Sequence, residues 1–239
     1  MVRTILRSAS TSYAGPFKWV LIDGEHGLIG DRDYYELVNA IAAEGASPII
    51  RVPWAEEWMI KRALDLGAHG VLTPMCHTAE DAARIVRYSK YPCRGTRGYG
   101  PIFAVHSIPG MATGDPAYDE GADKSLVVAV QIESRLGVDN AEAIAQVEGV
   151  DVLLVGPFDL AKQMGIVPGS AGHEAAIRSV LQAAHRAGKK AAIFCLSGIR
   201  ARLRVQQGFD MVSVSTDSTV VGEAMVQHLS VANGTSTPI

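Results

Sequence analysis

Cysteine is scarce in this sequence of 239 residues, and its three cysteines, Cys76, Cys93 and Cys195, are far apart and form no CxxC motif. An odd number of separated cysteines excludes a disulfide framework and is typical of reduced thiols in an intracellular protein. The apolar runs are no longer than a β-strand, which excludes a membrane-spanning helix. Residues 1–10 have no apolar core of the kind found in secretory signals. We therefore predict a cytoplasmic protein with no membrane partner.

A basic excess and a dinucleotide fingerprint are missing as well. Lysine and arginine together number 22 against 25 aspartate and glutamate residues, and the net charge of −3 argues against nucleic acid as a partner. No GxGxxG motif occurs. Hydrophobic residues make up 48% of the chain, and the composition does not change along it. We predict a single domain over residues 1–239, with an atypical N-terminal segment at 1–16 and a polar tail at 233–239.

Short apolar runs alternate with helical segments or loops from residue 19 onwards, and no two runs are separated by a two-residue hairpin. The predicted strands are Trp19 to Asp23, Ser47 to Val52, Gly70 to Pro74, Leu126 to Glu133, Asp151 to Val155, Ala191 to Cys195 and Met211 to Thr216. This alternation predicts an α/β fold with a parallel sheet. We expect a (β/α)8 TIM barrel with a shortened N-terminus that can lack the first strand, and an open doubly wound sheet is the alternative. Residues 91–123, rich in glycine and proline, are predicted to be a functional loop.

A carboxylate follows each of two predicted strands, Glu133 after one and Asp159 after the next. Consecutive parallel strands joined by a right-handed crossover lie close together, so both carboxylates are expected at the same rim of the sheet. Their charges would repel each other unless a cation lay between them, and oxygen ligands suit Mg²⁺ or Mn²⁺. We predict a divalent metal site. The alternative is that these carboxylates form ion pairs with Arg135 or Lys162.

The first predicted strand ends in Asp23, and His26 follows it across a glycine turn. A carboxylate bonded to the imidazole would raise the basicity of the other ring nitrogen, as a general base requires. The alternative is a solvated histidine in a turn that the aspartate caps. Arg51 ends the next strand among apolar residues, so its guanidinium must have a partner. A bound oxyanion and a structural carboxylate such as Glu25 are equal candidates for that partner.

Five strings of the sequence resemble those of the HpcH/HpaI aldolase family, and they occur in the same order. They are LIDGEHG (21–27), IIRVP (49–53), RGTRGYGP (94–101), QIES (131–134) and VGPFDLA (155–161). The family comprises metal-dependent class II pyruvate aldolases related to 2,4-dihydroxyhept-2-ene-1,7-dioate aldolase and to the fungal macrophomate synthases. The resemblance covers about residues 17–230. It implies a (β/α)8 barrel and a homo-oligomer, usually a hexamer with active sites near subunit interfaces.

The resemblance assigns a metal site and a substrate site. It implies Glu133 and Asp159 as ligands of a divalent metal, with Mg²⁺ first and Mn²⁺ or Co²⁺ as alternatives. It implies that Gln131 contacts the substrate and that the backbone of Pro157, Phe158 and Asp159 binds the pyruvate carboxylate.

The resemblance also assigns a catalytic group. It implies His26 with Asp23 as a catalytic dyad, Arg51 as the contact of the keto and enolate oxygen, and Glu25 as a residue that supports them. The sequence departs from the family at its start, since family members carry a helix and the first strand before the position of Trp19.

The reaction that the resemblance implies is cleavage of a 4-hydroxy-2-oxo acid to pyruvate and an aldehyde through a metal-bound enolate, the chemistry of an aldehyde-lyase (EC 4.1.2.-). No lysine lies at a motif position, which argues against a Schiff-base aldolase. Oxaloacetate decarboxylation or carbon–carbon bond formation of the macrophomate synthase kind is one alternative, and a non-catalytic paralogue is another. The residues leave open which aldehyde is released.

Overall fold

A parallel sheet of seven strands forms the centre of the computed structural model, which describes residues 17–235. The strands are β1 (Trp19–Asp23), β2 (Ser47–Arg51), β3 (Gly70–Thr73), β4 (Val127–Ile132), β5 (Val152–Val155), β6 (Lys190–Ile193) and β7 (Met211–Val212). They are hydrogen-bonded in sequence order, and every neighbouring pair is parallel. The predicted parallel α/β sheet is thereby confirmed, and its strand order is that of a TIM-barrel-like fold.

Helices and loops connect the strands. The helices are α1 (Asp31–Ala43), α2 (Glu57–Asp65), α3 (Ala79–Ser89), α4 (Pro116–Ser125), α5 (Arg135–Asp139), α6 (Ala141–Ala145), α7 (Pro157–Met164), α8 (Ala171–Arg186), α9 (Gly198–Gln206) and α10 (Asp217–Ala232), with a 3₁₀ turn at Ala104–Ser107. Hydroxyl side chains accept hydrogen bonds from free amides at the helix starts, as Thr78 does for α3 and Ser170 for α8. These caps explain why the predicted helices begin close to where they were expected.

The alternation of side chains along the strands divides the core into two clusters. The larger one lies between the sheet and the helices. The smaller one lies on the opposite, inner side of the curled sheet and contains Ile49, Leu72, Ala129, Val152, Leu154 and Ala192. Since side chains two positions apart point to the same face of a strand, the residues that follow these at the C-terminal ends also face inwards. The inward-facing residues identified by this spacing are Arg51, Gln131, Glu133 and Gly156.

Two sequence predictions about the elements are wrong in detail. The last strand was expected to reach Thr216, but only Met211–Val212 pairs with β6, and Thr216 instead caps α10. The segment 91–123 was expected to be one long loop, but it contains the 3₁₀ turn and the start of α4. Asp115 caps α4 and Pro116 opens it, because a proline at the first helical position loses no hydrogen bond.

Two predictions concern the N-terminal segment, which lies outside the described residues. An eighth strand and a helix at residues 2–9 lie outside residues 17–235, so a closed eight-stranded barrel stays a prediction. Between residues 17 and 235, no helix combines the length and apolar character needed to cross a bilayer.

Arg97 in the RGTRGYGP string is fully buried. Its guanidinium donates to the Asp65 carboxylate at 2.7 Å and to the Tyr118 hydroxyl at 3.3 Å, and it lies over the ring of Tyr91 at 4.5 Å. A buried guanidinium with these partners holds the segment against α2 and α4. Arg97 therefore has a structural role in this segment.

Candidate active site

Polar side chains meet at the C-terminal ends of β1, β2 and β4, on the inner side of the sheet. Asp23 and Arg51 are register partners in the first pair of strands. On the other side, Ile132 pairs with Val155, so Glu133 and Gly156 follow at neighbouring positions. The predicted rim thus brings together the candidate residues of four strands, as expected for the catalytic face of a barrel.

Arg51 is the central cation of the β1–β2 side. Its Nε and Nη2 atoms donate to the two oxygens of Asp23 at 2.9 and 2.6 Å, and its Nη1 lies 3.0 Å from Oε2 of Glu25. The sequence left an oxyanion and a structural carboxylate as alternative partners, and the structure supplies two carboxylates. Burial would lower the pKa of Arg51, but hydrogen bonds and charge from Asp23 and the charge of Glu25 outweigh it and raise the pKa.

The two carboxylates beside Arg51 differ in their pKa. Burial opposes the charged form of Asp23, yet the Arg51 hydrogen bonds and two backbone N–H donors, from His26 and Glu25, hold its pKa below the ordinary value. Burial raises the pKa of Glu25, and Arg51 and His26 offset only part of that rise. Asp23 is therefore bonded as an anion, at neutral pH, to Arg51 and to the turn that follows β1.

The structure corrects the expected pairing of Asp23 with the His26 imidazole. Asp23 Oδ1 accepts from the backbone N–H of His26 at 3.2 Å, and both carboxylate oxygens bond to Arg51. The His26 ring is largely exposed, and its Nε2 lies 3.8 Å from Oε2 of Glu25. The three-residue spacing lets the Asp23 carboxylate bond to the backbone N–H groups of the turn and not to the His26 ring. Asp23 thus shapes the turn that presents His26, and Glu25 is the carboxylate nearest to the imidazole.

Glu133 is the main anion of the β4–β5 side, and only 2% of its surface is exposed. The backbone N–H of Met75 donates to its Oε1 at 3.0 Å, and the Gln131 amide donates to its Oε2. Burial raises the pKa of Glu133, the two donors offset part of the rise, and the charges of Asp159 and Glu25 add to it. Within residues 17–235, no lysine or arginine forms an ion pair with Glu133.

Gly156 lets the side chains of Glu133 and Gln131 lie directly against the backbone at the end of β5. A Cβ atom at this position would lie 2.3 Å from Oε2 of Glu133 and 2.7 Å from the Gln131 amide nitrogen. Helix α7 begins directly after it with Pro157, and Asp159 lies in the exposed first turn of that helix. The free N–H groups and positive dipole end of such a turn favour a bound carboxylate.

The residues on the β4–β5 side fit a hard divalent cation. The donors there are the carboxylates of Glu133 and Asp159 and the amide oxygen of Gln131, which is buried without a hydrogen-bond partner. Among residues 17–235 there is no group of three histidine, cysteine, aspartate or glutamate side chains placed to hold a metal. Two carboxylates with remaining positions for water and substrate match the way Mg²⁺ is bound in proteins.

Comparison with known proteins identifies the family of this chain. The sequence profile described as "HpcH/HpaI aldolase/citrate lyase" matches residues 6–224. The chain belongs to this family. It is an aldolase of the HpcH/HpaI family, and the predicted enzyme class is confirmed.

Relatives of this HpcH/HpaI aldolase are also named as aldolases. A "Hydroxypyruvate/pyruvate aldolase" of Chromohalobacter salexigens is 39% identical over 90% of this chain and 84% of its own length. A "2-keto-3-deoxy-L-rhamnonate aldolase" of Salmonella gallinarum is 34% identical over 93% of this chain and 85% of its own. The crystal structure of a family protein from Burkholderia cenocepacia has a TM-score of 0.85 and 32% identity over 97% of this chain and 90% of that chain.

Sequence reasoning on this HpcH/HpaI aldolase missed two residues that surround the site. Met75 has a left-handed backbone with φ of 54°, which turns its N–H towards Glu133. His173 is buried and bonds to the carbonyl oxygen of Pro157. Neither had a signal in the sequence, because a backbone donor is independent of residue type and His173 has no charged neighbour at a matching spacing.

Proposed function

We propose that this chain is a divalent-metal-dependent lyase that cleaves a 4-hydroxy-2-oxo acid to pyruvate and an aldehyde. The observation that carries the proposal is that the two sides of one rim differ in charge. One side has Arg51 between two carboxylates, and the other has the buried carboxylate of Glu133, which forms no ion pair with a lysine or arginine of residues 17–235. A 2-oxo acid has a carboxylate and a ketone on adjacent carbons, so it can contact both sides at once.

The β4–β5 side would hold the metal and the carboxylate end of the substrate. Glu133, Asp159 and the Gln131 amide oxygen are the proposed donors to the cation. When bound, a divalent cation supplies Lewis-acid polarisation of the 2-oxo group. The N–H groups at the start of α7 would donate to the substrate carboxylate, and the lack of a side chain at Gly156 lets Glu133 and Gln131 lie close to that helix start.

The β1–β2 side would support the negative charge that develops on the 2-oxo oxygen when the C3–C4 bond breaks. Arg51 is fixed by Asp23, so its guanidinium needs no reorganisation to donate to that oxygen. His26 lies exposed at the mouth of the site, and Glu25 lies beside it. We infer that His26 removes the proton from the C4 hydroxyl and that Glu25 orients the ring.

The names of the relatives support pyruvate as the released oxo acid. One is named for hydroxypyruvate and pyruvate and the other for a 2-keto-3-deoxy sugar acid. We infer that a small 2-oxo acid is the substrate class of this chain too. A homo-oligomer, a hexamer by family resemblance, and a cytoplasmic location stay predictions.

Release of pyruvate from a panel of 4-hydroxy-2-oxo acids and oxaloacetate tests the proposal. The assay is run in EDTA and again after Mg²⁺ or Mn²⁺ is restored, with Glu133→Gln as the site variant. Glu148→Gln is the matched control, because Glu148 is exposed and lies away from the rim. We expect metal-dependent release by the wild type and the control, and a loss of about 1,000-fold in the Glu133 variant.

Two outcomes would contradict this function. Equal release in EDTA and in Mg²⁺ would show that the divalent metal is not needed. Release from oxaloacetate alone would show the decarboxylase alternative instead of the aldolase.

A further inference from the structure

His173 is a buried histidine whose two ring nitrogens both bond to the backbone of other segments. Only 3% of its surface is exposed. Its Nδ1 accepts from the backbone N–H of Gly169 at 3.0 Å, and its Nε2 lies 2.8 Å from the carbonyl oxygen of Pro157. Because a backbone N–H can only donate, Nδ1 carries no proton, and Nε2 carries the hydrogen that is donated to Pro157. The two partners thus fix a single neutral tautomer.

The Pro157 carbonyl belongs to the first turn of α7, which also contains Phe158 and Asp159. Phe158 is half exposed, and its ring contacts Phe194 at a centroid distance of 6.1 Å. In the part of the chain that the structure describes, His173 is the one side chain that hydrogen-bonds to the backbone of residues 156–160. This imidazole therefore forms the one side-chain hydrogen bond, within residues 17–235, that joins the backbone of this turn to α8.

Helix α8 gives His173 a fixed base. Ser170 caps the helix by accepting from the His173 N–H at 3.4 Å. The next residue, Glu174, forms two hydrogen bonds with the buried Arg204 of α9, at 2.6 and 2.8 Å. The ring is thus attached to a helix start that is itself held by an ion pair to a neighbouring helix.

We propose that His173 is a positioning residue for the substrate carboxylate, and that it acts by fixing the first turn of α7 through the Pro157 carbonyl. The inference rests on the proposed function, since it assigns the carboxylate of a 2-oxo acid to that turn. The N–H groups of the turn reach a carboxylate with good geometry only while its orientation is fixed. His173 itself does not touch the substrate.

Two substitutions separate the two hydrogen bonds of the ring. In His173→Gln the amide nitrogen can take the place of Nε2 and still donate to Pro157. In His173→Asn the amide oxygen can take the place of Nδ1, which keeps the bond to Gly169 but loses the bond to Pro157. Both variants lose one hydrogen bond, so a purely structural role predicts similar falls in stability and no difference in substrate binding.

His185 provides the matched control on the same helix. It lies near the C-terminal end of α8, where Nε2 contacts Asp210 at 2.9 Å, at the opposite end of the sheet from the proposed site. His185→Asn therefore removes the Nε2 bond from the same helix, and His185→Gln, whose amide nitrogen can take the place of Nε2, keeps it, in both cases without a link to the α7 turn.

The decisive measurement compares KM and kcat for the four variants in the full-length, metal-loaded protein. We expect His173→Asn to raise KM about tenfold, the value of one hydrogen bond, with a smaller change in kcat. His173→Gln and both His185 variants should stay within about threefold of the wild type. Inhibition by pyruvate should weaken in parallel in His173→Asn, whereas inhibition by pyruvamide, which has no carboxylate, should not. Equal KM values for His173→Asn and His173→Gln would overturn the proposal.

Amide hydrogen exchange gives a second measurement that needs no substrate. Exchange in the peptide that covers residues 156–164 should become faster in His173→Asn than in His173→Gln. If the wild type shows no turnover but this difference appears, the proposed function fails and the positioning of the turn stands. If turnover is normal and the exchange of the two variants is the same, the positioning role fails alone.

Discussion

The β1–β2 side and the β4–β5 side of the rim contain similar side chains but differ in how their charge is balanced. On the β1–β2 side, Asp23 and Glu25 share the guanidinium of Arg51, and the pKa of Asp23 lies below its ordinary value. On the β4–β5 side, Glu133 is more deeply buried, its hydrogen-bond donors among the described residues are an amide and a backbone N–H, and its pKa is raised.

This difference in charge balance indicates a different function for each side. The charge of Asp23 is balanced by Arg51, and the carboxylate serves to hold that arginine in place. A buried carboxylate without a cation costs free energy that the fold does not recover by itself. A site that binds a divalent ion recovers this cost when the ion arrives. We therefore associate the β4–β5 side with the metal and the β1–β2 side with the developing negative charge.

The largest effect expected from a change on the β1–β2 side comes from replacing its cation. Arg51→Lys keeps the charge but cannot donate to both oxygens of Asp23 and to the substrate at the same time. We expect kcat/KM for pyruvate release to fall by about 100-fold, in the range seen when one donor to a developing oxyanion is lost. Arg84→Lys is the control, because Arg84 is bonded to Asp81 outside the proposed site. An unchanged kcat/KM for Arg51→Lys would remove the catalytic role of this side.

A smaller effect is expected from Mn²⁺ on the stability of the protein. At a concentration 100 times its Kd, a ligand that binds only the folded state raises the free energy of unfolding by about 2.7 kcal/mol. We expect this increase in the wild type and in Asp23→Asn, and no increase in Glu133→Gln, when chemical denaturation is followed with and without Mn²⁺. If Asp23→Asn also lost the increase, the two sides would not be separate in function.

The smallest effect concerns stability as a function of pH in EDTA. The folded-state pKa of Glu133 is raised above its ordinary value of 4.5, so the charged form is penalised in the folded protein at neutral pH. Glu133→Gln should therefore be more stable than the wild type at pH 7, and the difference should shrink as the pH falls towards and below 4.5.

Asp23→Asn should behave in the opposite way, because the folded-state pKa of Asp23 is lowered from its ordinary value of 3.8. The variant should be less stable than the wild type at neutral pH, and the difference should persist at pH 4 and disappear only below the lowered pKa. Denaturation midpoints at pH 7 and pH 4 measure both differences. Parallel pH curves for the two variants would contradict the assigned charge balance.

The sequence was sufficient for the sheet and for the residues that face its inner side. Alternating apolar runs and helical segments allow only a parallel sheet, and the two-residue period of a strand determines that Gln131 and Glu133 share a face. The carboxylate after each of β4 and β5 followed from the same reasoning. Family resemblance then implied roles that position alone could not distinguish, above all that of Arg51.

The tertiary structure alone decided which groups are partners. The spacing of Asp23 and His26 permitted a bond between their side chains, but the register of β1 and β2 places Arg51 closer, and a bidentate charged bond is stronger than one to a neutral ring. The contacts of Met75 with Glu133 and of His173 with Pro157 join segments far apart in the chain. Local pattern determined the strands and the faces of this protein, and only packing determined these contacts, because they depend on where the backbone of one segment lies against another.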